Sequence, residues 1–153
     1  MKRIEVKLSL PVVAPLLDVI KGLAVDLEKS LAAPGIPAES DHEFQTAWTE
    51  ELIAAQNAEV RLLLGLFNDE FFADGVIAFD EENAEPIVRA CSALRLRLRF
   101  GPLASVVDEQ LEGGKVEIDR LDEPERKGFM CYLFLATIQE LIIQHLDSSI
   151  IGS

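Results

Sequence analysis

Arg95 and Arg99 stand four residues apart in an otherwise apolar stretch, and Gln139-Glu140 interrupt the most apolar run of the chain. A carboxylate that is half-buried needs a partner, and arginine offers a planar, bidentate one. The expectation is a structural polar pair in which Glu140 meets Arg95 or Arg99 across the core. The competing reading leaves Glu140 at a helix edge, reaching solvent.

Other reactive types do not assemble into a known constellation. Gly113-Gly114-Lys115 lacks the upstream glycine and the following Ser or Thr of a phosphate-cradling loop. No Gly-x-Ser-x-Gly elbow occurs. Cys131 and His145 lie fourteen residues apart on one expected helix. That is roughly 21 Å, too far for a nucleophile–base pair. Glu39-x-x-His42 matches one half of a ferritin-like iron motif, without a second copy. His42 and His145 are therefore read as surface or helix-end histidines. No catalytic residue, metal site or cofactor is assigned.

Charge is the strongest asymmetry in the chain. Of 153 residues, 27 are acidic and 14 basic, a formal net charge of −13. Residues 33–86 hold 13 acids against the single base Arg61, a net −12. A basic binder of nucleic acid is excluded by this sign, because phosphate would be repelled. Glu50, Glu51, Asp69, Glu70, Asp80, Glu81 and Glu82 form the candidate acidic interaction surface, suited to steering a basic protein partner. The plain alternative is a solvated helix face with capping acids.

Periodicity places these residues on elements. Ile4, Val6, Leu8 and Leu10 alternate with polar residues, a half-buried strand that Pro11 stops. Residues 12–32 switch to helical spacing, with the regular helix expected from Val13 or Ala14 because of Pro15. Ala33 to Pro37 reads as a loop, and Asp41 as the N-cap of a long helix running to about Phe72, with Gly65 its weak point and Gly75 its stop. Val76 to Phe79 reads as a short strand pairing with residues 3–10. Asp80 is expected to cap the next helix, with Glu81 and Glu82 in its first turn. Leu94 to Phe100 alternates perfectly, yet it continues a helical pattern and is read as helix. Gly101-Pro102 ends that helix. A short helix over 103–111 and a short strand over Lys115–Asp119 follow. Asp122 and Pro124 open a last helix to about Leu146.

That last helix is apolar nearly all round from Phe129 to Ile138, the signature of a central buried helix or an oligomer interface. The run has ten residues, and a membrane span needs about 18 or more. Met1-Lys2-Arg3 is not followed by a signal-peptide core, since Glu5 and Lys7 interrupt it. Two cysteines give no disulfide framework, so Cys91 and Cys131 are expected as buried free thiols of a cytoplasmic protein.

The second half resembles a bacterial family of uncharacterised proteins, domain of unknown function two-thousand-and-seventeen. The resemblance is carried by Asp80-Glu81-Glu82, Leu94-Arg95-Leu96, the acidic stretch Asp119 to Glu125, and Tyr132-Leu133-Phe134 leading to Ile138-Gln139-Glu140. The N-terminal strand and helix are similar too. Gly101 comes a little later after Leu-Arg-Leu than the family pattern has it. The family brings no catalytic residues. Some members are encoded near the adaptor of the Clp protease, which implies a proteostasis or regulatory role.

The expected protein is mainly α: one domain over residues 1–147, a bundle of four to five helices with a two- or three-strand β element, and a tail over 148–153. The core should hold helices 13–32, 44–72, 82–99 and 125–146. The expected function is a cytoplasmic, non-catalytic interaction or regulatory module with an unknown protein partner. A homodimer is expected to be possible, helped by Ile150-Ile151; no nucleic acid and no membrane are expected as partners. The alternatives are an acidic mimic or antagonist of a nucleic-acid-binding protein, and a metal-carboxylate enzyme.

Overall fold

The computed structural model describes residues 3–31, 42–106, 110 and 116–146. The expected loop over 33–37, the cap at Asp41, Lys115, most of 107–115 and the tail with Ile150-Ile151 lie outside these. Two strands and a set of helices follow in chain order: β1 (Arg3–Lys7), α1 (Leu10–Leu27), α2 (His42–Leu64), short α3 (Asp69–Asp74), β2 (Val76–Asp80), α4 (Ala84–Phe100) and α5 (Glu123–His145). The molecule is mainly helical, with one small antiparallel sheet, as its periodicity required.

β1 pairs with β2 in the register Arg3↔Asp80 to Lys7↔Val76. Ile4 and Val6 face Phe79 and Ile77 across the ladder, and Ile77 and Phe79 are buried against the helices. This is the apolar face that period two predicts. The backbone N–H of Leu8 then donates to Gly75 O at 2.7 Å, closing the sheet at that end.

β1 stops at Lys7 because the chain turns helical sooner than expected. Pro11 lies in the first turn of α1, where its missing N–H costs nothing and its fixed φ is suitable. Val12 and Val13 donate to Ser9 O. Pro15 thus falls inside the helix and forfeits one backbone bond. Burial of Val13, Leu16, Leu17, Ile20, Leu23 and Leu27 along one stripe offsets that loss.

The long helix expected to reach Phe72 is broken. α2 ends at Leu64, and Leu66 and Phe67 donate back three residues, to Leu63 and Leu64. Gly65 is poor helix material, and Asn68 then caps α3 by accepting from Phe71 N. Leu66, Phe67 and Phe71 are buried, so the break inserts three large side chains into the core. Gly75 ends α3 in the left-handed region, φ 74°.

Asp80 does not cap α4 directly. Its carboxylate accepts from the N–H groups of Glu82 and Asn83, ordering a turn, and Asn83 occupies the N-cap position. Glu81 and Glu82 therefore sit in that turn, and Glu85 is the acid of the first helical turn. Residues 94–100 are helix, not strand. Residues 101–106 form turns, while Ile118–Arg120 form a 3₁₀ turn where a strand was expected. Asp122 and Glu125 make a reciprocal capping box at the start of α5. The Glu125 carboxyl is held below its ordinary range by the Ser105 hydroxyl and by the Asp122 backbone.

α4 packs on α5 and on α2, with α1 against all three. Gly128 of α5 is the close-approach point: a Cβ there would stand 3.1 Å from Pro102 Cβ.

Gly75→Ala should destabilise the fold by about 1–3 kcal/mol, because the new Cβ would meet a strained φ and lie 2.7 Å from Leu8 O. Urea unfolding is the measurement; a loss below about 0.5 kcal/mol would show that this joint is relaxed.

Candidate functional site

Arg95 is the centre of the polar contacts between α4 and α5. Its Nη1 donates to Gln139 Oε1 at 2.7 Å and its Nη2 to the Tyr132 hydroxyl at 2.9 Å. Its guanidinium carbon also lies 4.4 Å from the Tyr132 ring centre, a cation–π distance. Gln139 completes the link: its Nε2 donates to Val88 O at 2.9 Å and to Ser92 Oγ at 2.7 Å. Gln139 and Tyr132 are buried, and Arg95 is half-buried.

The expected Arg95–Glu140 pair is thereby replaced. Glu140 is exposed and accepts from Gln144, four residues along its own helix. The reason is angular. Phe129, Tyr132, Leu135, Ile138, Gln139 and Ile142 form the buried stripe of α5, and Glu140 lies a further 100° round. The buried polar residue is its neighbour Gln139. Arg99 lies one turn beyond Arg95 on α4 and lines the same groove.

Two other arginines of α4 reach other helices. Arg97 Nη2 donates to Ser30 Oγ at 2.7 Å and to Leu31 O at 3.1 Å, beyond the end of α1. Gln56 Nε2 donates to Leu27 O and Ser30 O, and Asn57 Nδ2 to Glu28 O. The carbonyls at the end of α1 are thus satisfied by side chains of α2 and α4. Arg89 pairs with Glu59 of α2 and with Glu85 at 2.5 Å. The Glu59 hydrogen bond, more than any other contact, raises the Arg89 pKa.

The seven acids of the candidate surface do not converge. Glu50 and Glu51 are exposed on α2; Asp69 and Glu70 open α3; Asp80, Glu81 and Glu82 form the turn before α4. About 20 Å of helix separates Glu51 from the α2 C-terminus at Leu64. Glu70 and Asp80 do share a groove, which Arg3 also lines. Among the described residues no three His, Cys, Asp or Glu side chains are grouped to hold a metal ion. No helix there is long and apolar enough to cross a membrane.

α2 carries a feature that the sequence reading did not single out. Trp48, Leu52 and Leu62 are 46%, 37% and 43% exposed, and Ala55 is exposed between them. With half-buried Glu59, which pairs with Arg89 of α4, they fall at intervals of four, three, four and three residues, a stripe about a quarter turn round the helix from the buried Gln56, Val60 and Leu63. The signal was present as a 3.5-residue repeat, hidden because α2 is apolar on both sides.

Cys91 and Cys131 are free and buried, as expected. Burial pushes both thiols from 9.0 up to about 12; at Cys91 the neighbouring Arg95 charge opposes that rise. They remain protonated thiols at neutral pH and offer no nucleophile.

Gln139→Ala should cost about 1–3 kcal/mol, since Arg95, Ser92 and Val88 O each lose a partner. Glu140→Gln should stay within about 0.5 kcal/mol. Equal losses in urea unfolding would reverse this assignment. The raised thiol values bear on alkaline stability. Unfolded thiols ionise from about pH 9 and folded ones only near 12, so stability is intact below pH 9 and falls as pH rises between these values. A melting temperature that holds level across that window would contradict it.

No family model, curated protein or solved structure matches this chain.

Proposed function

We propose that this chain is a non-catalytic, cytoplasmic protein-interaction module that binds a basic amphipathic helix along α2. The observation that carries the reading is the exposed Trp48–Leu52–Ala55–Leu62 stripe with acids beside it. Apolar side chains at alternating four- and three-residue intervals suit the seam of a second helix. The stripe spans about 21 Å, four turns. Alanine at its centre lets a partner backbone approach closely, while Trp48 supplies the large anchor common at interface centres.

The charge of the flanks selects the partner's sign. Glu50 and Glu51 are exposed and without an ion pair among the described residues. They lie in the segment that carries net −12. A helix with Lys or Arg beside its apolar face would meet opposite charge at the rim, which raises association rate and sets register. Two thiols kept unpaired and buried are in keeping with a reducing compartment.

Trp48 is the only tryptophan, so its fluorescence reports on this face without labelling. A synthetic amphipathic helix with leucine on one face and lysine at the flanks should shift that emission saturably. Leu52→Glu should weaken binding by about tenfold or more. Glu50→Lys with Glu51→Lys should slow association and flatten the salt dependence. If the protein instead self-associates through this face, and the peptide fails at low salt, the second copy is the occupant and the basic-helix reading is wrong.

A further inference from the structure

We infer that the groove between α4 and α5 beside Arg95 is a binding site for a small phosphate-bearing ligand. The groove is about 290 Å³ and is lined by Ser92, Arg95, Leu96, Arg99 and Tyr132. That volume takes a phosphate group with a short organic body, lying against Leu96. Among the described residues no carboxylate lines it.

Arg95 is unusual in what surrounds it. A half-buried guanidinium is ordinarily matched by a carboxylate or phosphate. Its hydrogen-bond partners here, Gln139 Oε1 and the Tyr132 hydroxyl, are both neutral. Its Nε is buried without a hydrogen-bond partner. Each terminal nitrogen bears two hydrogens and uses one within the fold, which leaves a donor on each. The fork is held in place by Gln139 and by the Tyr132 ring, so little entropy is lost when an oxyanion arrives.

Ser92 favours phosphate over a simple carboxylate. Its oxygen accepts from Gln139 Nε2, so its own O–H is left to donate. A phosphate monoester presents three terminal oxygens, enough for the Arg95 fork and the Ser92 hydroxyl together, with Arg99 in the groove wall beside them. The site is remote from the α2 stripe in composition and sign, and stands whether or not that stripe binds a helix.

The probe is inorganic phosphate, titrated into the intact protein at constant ionic strength and followed by melting temperature and by phosphorus NMR line width. Saturable broadening with a rising melting temperature is the expected result. Arg95→Lys keeps the charge but loses the fork, and should weaken phosphate at least about tenfold. Arg99→Gln and Ser92→Ala alter groove-lining residues outside the buried core and should each weaken it severalfold. These two keep the test valid if Arg95→Lys unfolds. An equal response to chloride, a response to acetate and not phosphate, or unchanged affinity in both Arg99→Gln and Ser92→Ala would overturn the assignment.

Discussion

The fold depends on how one helix disposes of its arginines. α4 sends Arg89 to α2, Arg95 to α5 and Arg97 to the end of α1. At 100° per residue, Leu94 and Leu98 share one side of the helix while Arg95, Leu96 and Arg97 lie off it. Leu94 and Leu98 are fully buried, and the arginines run along the flanks of that contact. Apolar burial supplies most of the stabilisation and is non-directional. The guanidinium contacts fix which turn of each neighbour α4 meets. Arg95 and Arg97 achieve this with neutral partners, so half-buried positive charge lies between the helices.

This division of charge organises the surface. The acids are spent on helix starts, turns and the outer face of α2. Asp122 and Glu125 cap α5, Asp80 orders the turn before α4, and Glu59 and Glu85 hold Arg89. Glu50 and Glu51 have no such internal role. The same accounting separates the two proposed surfaces. One is apolar along its middle with acids beside it; the other is a groove walled by arginine side chains.

Much of the architecture was legible because burial obeys period. The stripe of α1, the alternation of β1 against β2, the Asp122 cap and the glycine at 75 could all be read before any coordinate. What was not legible depended on balance between near-equal terms. Pro15 looked prohibitive, yet one lost backbone bond near a helix start is smaller than six buried side chains. Gly65 looked like a weak point in a continuing helix, whereas with Asn68 behind it the chain turns and buries Phe67 and Phe71. The polar site was displaced by one residue for a similar reason. A carboxylate attracts attention as the natural arginine partner, but the helical angle decides who faces inward, and the neutral Gln139 does. The α2 stripe is not legible because small alanines and apolar residues on two sides of the helix leave little contrast along it.

The way α1 ends has a consequence for how the molecule assembles. Its last carbonyls, and those just after, are answered by Gln56, Asn57 and Arg97, which lie 26 to 67 residues further along the chain. Locally, Ser30 Oγ answers only Asp26 O and the Glu28 N–H answers Val25 O. The segment therefore gains its final hydrogen bonds only when α2 and α4 have docked, which couples a short helical terminus to long-range topology. This corner is a meeting point of three helices, whose side-chain hydrogen bonds exist only in the assembled packing.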